Sequence, residues 1–127
     1  MAAAATIKSY KGFPEGNIDE RTLEALESVT AELVAGTASD IHAIKWDNSN
    51  NSANTYLKFY DAVAPASGVS PDLQILCPGS GKGRMTTTVE LFSWATAIDL
   101  HANTAKEDTS TTDPTSAFDV SVMFDNT

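Results

Sequence analysis

The end of the chain alternates without a break between apolar and polar side chains. The apolar positions are Phe118, Val120, Val122 and Phe124, and the residues between them are Asp119, Ser121, Met123 and Asp125. Successive side chains of a β-strand point to opposite faces, whereas one face of a helix returns only every three or four residues. This stretch therefore predicts a strand with one buried and one exposed face.

Similar runs recur through the rest of the chain, separated by residues that favour turns. They lie at 41–46, 55–60, 73–77, 84–91 and 94–100, and a less regular run lies at 29–35. No segment between them has the pattern of a crossover helix, so neighbouring strands should pair antiparallel. The sequence predicts an all-β fold of about six or seven strands, either an antiparallel β-sandwich or a jelly-roll-like barrel.

The beginning of the chain lacks this alternation. Residues 1–20 contain Ala, Gly, Pro and scattered charges without a period, which indicates an extended N-terminal arm. Residues 19–27 contain helix formers that begin with acidic side chains, so a short helix could form there. We therefore divide the chain into an N-terminal arm at 1–27 and a β-sandwich domain at 28–127.

The charge balance is strongly acidic. The chain has 17 acidic and 8 basic residues, and its formal net charge is −9. A protein that wraps nucleic acid needs the opposite balance, so we predict no nucleic-acid partner. No apolar run approaches the roughly 20 residues of a membrane-spanning helix, and the first five residues do not resemble a secretory signal. These features predict synthesis in the cytoplasm and no membrane partner. A basic partner surface, or repulsion that keeps copies soluble, fits the charge.

Few residues have the spacing of a catalytic or metal site. Cys77 is the only cysteine and follows a short apolar run, which indicates a small apolar side chain at the end of a strand. A reactive thiol would instead use the nearby Lys82 and Arg84 to lower its pKa. The run 79–83 resembles a phosphate-binding loop only poorly, because Gly83 follows Lys82 where that motif requires Ser or Thr; a flexible hairpin turn fits better.

The two histidines lie on different predicted strands. His42 and His101 would meet only if those strands were neighbours, and Asp99 could then complete a metal site. Half-exposed histidines on a sheet are the more common situation. We predict no catalytic residue, no metal and no cofactor, and hence no enzyme activity.

Six aromatic or large apolar residues are candidates for contact with a partner. Trp46, Tyr56 and Tyr60 could form an exposed aromatic strip of the kind that binds sugars, although packing in a core or an interface is the favoured interpretation. Ile7, Tyr10 and Phe13 lie in the arm, which could order on a partner and act as a clasp. We predict these six residues as partner contacts.

A longer pattern links residues 40–78. Asp47 and Asn48 form a turn after the strand at 41–46, the strand Tyr-Leu-Lys-Phe-Tyr-Asp follows at 56–61, and a Pro- and Gly-containing loop ends in Pro71 and Asp72. With the alternating strands that follow, residues 40–125 resemble a family of small virion structural proteins of tailed phages.

That resemblance implies a β-sandwich that decorates the head as a cement protein. Such a protein would lie on the outer surface of the virion head and tie neighbouring subunits of the major capsid protein together. Its partners would be the major capsid protein and other copies of itself, as a dimer or trimer. The alternative is a tail- or fibre-associated module that recognises a host carbohydrate.

Overall fold

The protein is an all-β sandwich of two antiparallel sheets. The computed structural model describes residues 4–13, 16–24, 32–35, 39–62, 69–86, 92–107 and 112–126. The strands of these residues are β1 (Ala4–Phe13), β2 (Gly16–Glu24), β3 (Glu32–Ala35), β4 (Ser39–Asp47), β5 (Thr55–Tyr60), β6 (Leu73–Cys77), β7 (Lys82–Thr86), β8 (Phe92–Trp94), β9 (Ile98–Asn103) and β10 (Asp119–Asn126). The described residues include no helix long and apolar enough to span a bilayer.

The strands form two sheets with different edges. Sheet A has the order β1-β2-β10-β4-β7, and β8 pairs with a separate part of β4. Sheet B has the order β3-β9-β5-β6. All described pairings are antiparallel. The predicted sandwich with antiparallel pairing is therefore confirmed.

The core lies between the two sheets and consists of their alternate side chains. The fully buried apolar residues of sheet A are Leu23, Ile41, Ile44, Val120 and Val122, and those of sheet B are Leu57, Phe59, Cys77, Ile98, Leu100 and Ala102. Phe59 and Trp94 stack across the core with ring centroids 6.2 Å apart. Each large buried side chain contributes roughly 1.5–3 kcal/mol, so this cluster stabilises the sandwich without a disulfide.

The predicted strands are confirmed except at one corner, although the run at 84–91 is described only over its first three residues and the rest of it lies outside the described residues. The runs 55–60 and 73–77 coincide with β5 and β6. The predicted strand at 94–100 is wrong, because a bend at 95–97 separates β8 of sheet A from β9 of sheet B.

Asp61 explains the bend at that corner. Its carboxylate accepts hydrogen bonds from the backbone N–H groups of Ala95, Thr96 and Ala97, at 3.0, 2.7 and 3.1 Å. Burial raises the pKa of Asp61, but these three N–H groups outweigh it, and the pKa lies below its usual value. The ionised side chain thus holds the chain in the turn that carries it from one sheet to the other.

The N-terminal segment differs from a free arm. β1 and β2 form a hairpin, and β2 pairs with β10 from Leu23↔Val120 to Asp19↔Phe124. The short helix considered at 19–27 is not formed over its described part, because residues 19–24 belong to β2 and satisfy their backbone groups in the sheet. Leu23 is fully buried in the core, so β2 belongs to the body of the sandwich.

Candidate functional site

The outer face of sheet A carries aligned rows of polar side chains. Strand registers place Thr22, Ser121, Lys45 and Arg84 in one cross-strand row, and Asp119, Asp47 and Lys82 in the next. The residues between the rows, such as Val120 and Trp46, turn inward to the core. The same alternation that builds the core therefore presents these polar side chains outward.

These rows line a shallow, open groove of about 500 Å³, which we call the sheet A groove. Its lining residues come from β2, β10, β4 and β7: Thr22, Lys45, Trp46, Asp47, Lys82, Gly83, Arg84, Asp119, Val120 and Ser121. A groove as open as this suits contact with another macromolecule better than enclosure of a small molecule, since small-molecule sites bury most of the ligand.

The groove concentrates positive charge in an acidic protein. Lys45, Lys82 and Arg84 are exposed in it, and they make up three of the eight basic residues in the chain. The Nζ atom of Lys82 lies 3.5 Å from a carboxylate oxygen of Asp47. Lys45 and Arg84 stand directly opposite each other on neighbouring strands, and neither forms an ion pair with a described residue. Like charges in this arrangement destabilise a sheet. Binding of an acidic group from a partner would therefore reduce the repulsion between Lys45 and Arg84.

The side chains of Asp47, Glu20 and Ser121 at the groove form hydrogen bonds within the chain. Ser49 donates to Asp47 from its hydroxyl and its backbone N–H, and with Lys82 these contacts lower the pKa of Asp47, so it is ionised at neutral pH. Ser121 donates to Glu20 at 2.9 Å and accepts a weaker bond from Thr22 at 3.4 Å. The cations Lys45 and Arg84 therefore remain the groups with capacity to bind a carboxylate, and the planar guanidinium can do so through two parallel bonds.

Trp46 supports the groove from beneath. A Cβ atom added to Gly83 would lie 2.1 Å from Cζ2 of Trp46, so only glycine leaves room for the indole against β7. Trp46 is half-buried and packs against the core. It is thus a structural element of the groove and does not offer its ring as an exposed platform for a sugar.

Where it is formed by β5 and β9, the outer face of sheet B is polar and largely buried. Registers align Lys58 with His101, Tyr60 with Asp99 and Tyr56 with Asn103. We call the five buried members the sheet B polar cluster; they are Lys58, Tyr60, Asp99, His101 and Asn103, each 6% exposed or less. Lys58 is fully buried, and its Nζ atom donates to the backbone carbonyl of Glu107 at 2.6 Å. The chain following β9 therefore covers this face.

His101 lies in the centre of that cluster. Its ring packs against Tyr60 with centroids 4.8 Å apart, and its Nε2 atom has no hydrogen-bond partner in the structure as described. Burial, and then the charge of Lys58, lower its pKa, so the imidazole is neutral at pH 7. A neutral, enclosed histidine of this kind has no access to a partner.

The arrangement in which His42, His101 and Asp99 could share a metal ion is not formed. His42 lies on β4 of sheet A and His101 on β9 of sheet B, so their strands are not neighbours. Nε2 of His42 instead contacts Asp125 Oδ2 at 2.9 Å. Within the described ranges, no three His, Cys, Asp or Glu side chains are grouped closely enough to hold a metal ion.

The turn at 78–81 is anchored, and the prediction of a flexible hairpin there is wrong. β6 and β7 belong to different sheets, so the turn is a corner between them. Asn48 is fully buried, and its side-chain amide donates to the carbonyls of Cys77 and Pro78 at 3.0 and 3.1 Å. Backbone bonds from Asn48 N to Gly81 O and from Ser80 N to Asn51 O complete the attachment.

Cys77 is the buried apolar side chain that its position indicated. It is fully buried in the core cluster. Burial raises the pKa of its thiol to about 12, despite a backbone hydrogen bond involving Leu57 that lowers it. The alternative of a thiol activated by Lys82 and Arg84 is wrong, because those side chains point away on the outer face of sheet A.

The predicted contact residues lie in three different places. Trp46 is on sheet A, whereas Tyr56 and Tyr60 are on β5 of sheet B, so they form no common strip. Tyr60 is 3% exposed and cannot reach a partner, and Tyr56 is half-buried. The backbones of Ile7, Tyr10 and Phe13 belong to β1, and their side chains lie outside the described part of the molecule.

The principal groove residues were missed because each is unremarkable in sequence. Lys45 lies in an apolar strand and Arg84 begins a run after a glycine-rich turn, 39 positions apart (84 − 45). Alternation placed Arg84 on a polar face but gave no such indication for Lys45, and only the β4–β7 pairing brings the two together.

No protein-family model matches the chain, and no curated protein matches it significantly in sequence. The fold class is established by the two packed antiparallel sheets. Function is therefore inferred from the chemistry of the groove.

Proposed function

We propose that the protein is a virion structural protein of a tailed phage that decorates the outer surface of the head and bridges subunits of the major capsid protein. The sheet A groove carries this proposal: Lys45 and Arg84 are exposed, adjacent and without an acidic partner among the described residues. The groove is an open face, which fits work done by surface contact.

The charge pattern supports binding in one orientation. The chain as a whole has a net charge of −9, while the groove holds Lys45, Lys82 and Arg84 against Asp47 and Asp119, an excess of one positive charge. A partner surface with acidic groups opposite the groove and basic groups around them would attract this chain in one orientation and bind it weakly in most others. Repeated placement of many copies at equivalent positions on a shell requires such an orientation.

The resemblance of residues 40–125 to small phage virion proteins supports the particular context. The residues of that motif act structurally here: Asn48 joins the corner after β6 to the end of β4, and Thr55 donates to Asn48 at 3.1 Å.

Copy number in purified particles tests the proposal. Quantitative mass spectrometry of phage particles whose genome encodes this chain should find on the order of hundreds of copies per particle. About a dozen copies or fewer would instead support the tail or fibre module that recognises host carbohydrate. Absence of the chain from particles would overturn both.

A charge reversal in the groove tests the contact surface. Arg84→Glu should lower binding to undecorated heads by about tenfold or more, because one desolvated charge contact with an acidic group is replaced by repulsion. Lys106→Glu is the matched control, since Lys106 is also exposed and lies outside the groove. Equal binding by the two variants, measured by co-sedimentation with heads, would contradict the role of the groove.

A further inference from the structure

β6 is an edge of sheet B that carries no charge. Its five residues are Leu73, Gln74, Ile75, Leu76 and Cys77, and among the described strands it pairs only with β5. Leu76 is 49% exposed and Val69, in the segment before β6, is 45% exposed; these are the two exposed large apolar side chains of the described residues. An uncharged strand edge next to exposed apolar side chains is a surface that readily accepts another strand.

The β7 edge of sheet A is different. Lys82 and Arg84 are exposed on β7, and charged side chains on an edge strand discourage pairing with another chain. β6 has no such residue, and its pairing with β5 runs from Thr55↔Cys77 to Phe59↔Leu73 without a bulge. Thus the β7 edge has the usual protection against strand addition, and the β6 edge lacks it.

We propose that β6 pairs antiparallel with β6 of a second copy of this chain, joining two four-stranded sheets into one continuous sheet across a two-fold axis. Two copies that each carry a net charge of −9 repel, so a contact between them is favoured on a segment without acidic residues. β6 is such a segment, and a two-fold interface requires a surface complementary to itself. An antiparallel pair of identical strands meets that requirement.

The flanking residues favour one register. Centring the axis on Ile75 places Leu73 opposite Cys77 of the second copy and Gln74 opposite its Leu76. The same register sets Asp72 against the second copy's Pro78, so the two Asp72 carboxylates stay apart. Pro71 and Pro78 lack an N–H group and bound the segment that can pair. Gln74 and Leu76 lie on the outer face, where Leu76 extends the apolar surface of Tyr56.

This inference concerns self-association of the chain and goes beyond the capsid contact of the proposed function. Its test uses only the purified chain, whereas the proposed function is tested on phage particles. Failure of one is therefore distinguishable from failure of the other.

Cross-strand charges at positions 74 and 76 provide the test. Gln74→Lys combined with Leu76→Lys places lysines opposite lysines twice in the dimer, whereas Gln74→Glu combined with Leu76→Lys places opposite charges there twice. Sedimentation velocity over a concentration series should show a dimer of about 27 kDa (2 × 13.5 kDa) for the native chain. The dissociation constant should rise about tenfold or more in the Lys/Lys variant and return towards the native value in the Glu/Lys variant.

Thermal unfolding of both variants shows that the sandwich is intact, and Thr86→Lys on the β7 edge controls for added charge at a strand edge. A native chain that remains a monomer at its highest soluble concentration would overturn the proposal. So would a dimer that is equally stable in the Lys/Lys and Glu/Lys variants, because the dimer would then lie elsewhere.

Discussion

Both outer faces of the sandwich carry rows of polar side chains, which are exposed on sheet A but buried on β5 and β9 of sheet B. On sheet A, Lys45, Lys82 and Arg84 are exposed in the groove. On sheet B, Lys58 and His101 occupy equivalent outward positions but are buried, and the carbonyl of Glu107 binds the Lys58 ammonium. Alternation thus determines the face to which a side chain points, and coverage by the rest of the chain determines whether it reaches solvent.

The two faces also differ in what their positively charged side chains bind. Lys58 binds a backbone oxygen of its own chain, so its charge is used within the fold. Lys45 and Arg84 face each other with no ion pair to a described residue, which costs stability and leaves both available for binding. We infer that sheet A provides the interaction face and that the sheet B polar cluster is structural.

Substitution of the two lysines should give the largest contrast. Lys58→Ala should destabilise the protein by about 2–4 kcal/mol, because it removes a fully buried aliphatic stem and leaves the Glu107 carbonyl without its donor. Lys45→Ala, the same change on the exposed face, should alter the free energy of unfolding by no more than about 0.5 kcal/mol. Urea unfolding measures both, and equal effects would remove the distinction between the faces.

A substitution at the corner of residues 78–81, which joins β6 of sheet B to β7 of sheet A, should cause the next largest loss of stability. Asn48→Ala should cost about 2–3 kcal/mol, because the carbonyls of Cys77 and Pro78 and the hydroxyl of Thr55 lose a buried partner. Asn50→Ala is the matched control, since Asn50 is exposed two residues away. Equal stability of the two variants, measured by the same unfolding experiment, would show that the corner is held by its backbone bonds alone.

The strands were predictable because their local pattern is regular. Alternation identified β5, β6 and most of β10 from the sequence, and the burial of Phe118, Val120, Val122 and Phe124 follows it directly. The break at 95–97 was not predictable, since it depends on Asp61, 34 to 36 residues earlier. Hydrogen bonds across such a distance leave no mark on the local pattern.

The candidate site was less predictable than the fold. Lys45 and Arg84 become a site only through the pairing of β4 with β7, and strand order is not encoded in any one strand. Aromatic residues were predicted as contacts because such side chains are large and frequent in interfaces. In the structure, however, Tyr60 packs inside the sheet B polar cluster and Trp46 packs against Gly83. Residue type alone does not distinguish an aromatic side chain that packs from one that binds.

Near neutral pH, the pH dependence of stability should come from His101 on the closed face. The pKa of His101 is lowered from 6.5 in the folded chain, so below pH 6.5 the unfolded chain takes up a proton that the folded chain does not. Stability should therefore fall as the pH drops from 6.5 towards the folded pKa, with a slope of at most about 1.4 kcal/mol per pH unit, and level off below it.

His101→Gln should abolish that slope. Titration of the histidine Cε1–H resonances by NMR measures the folded pKa directly, and His101→Gln identifies the signal. A His101 midpoint at or above 6.5 would show that the sheet B polar cluster is open to water.

The last predicted change in stability concerns the open face and has the opposite sign. Arg84→Glu replaces the like-charged pair with Lys45 by an opposite pair, so it should stabilise the folded chain by about 0.2–1 kcal/mol at low salt. High salt should remove most of that gain, because both side chains are exposed. The same variant is expected to bind undecorated heads more weakly, so stability and binding would change in opposite directions at one residue. A loss of stability in Arg84→Glu would show instead that Arg84 supports the sheet, and the opposed cations could then no longer be interpreted as a site kept for a partner.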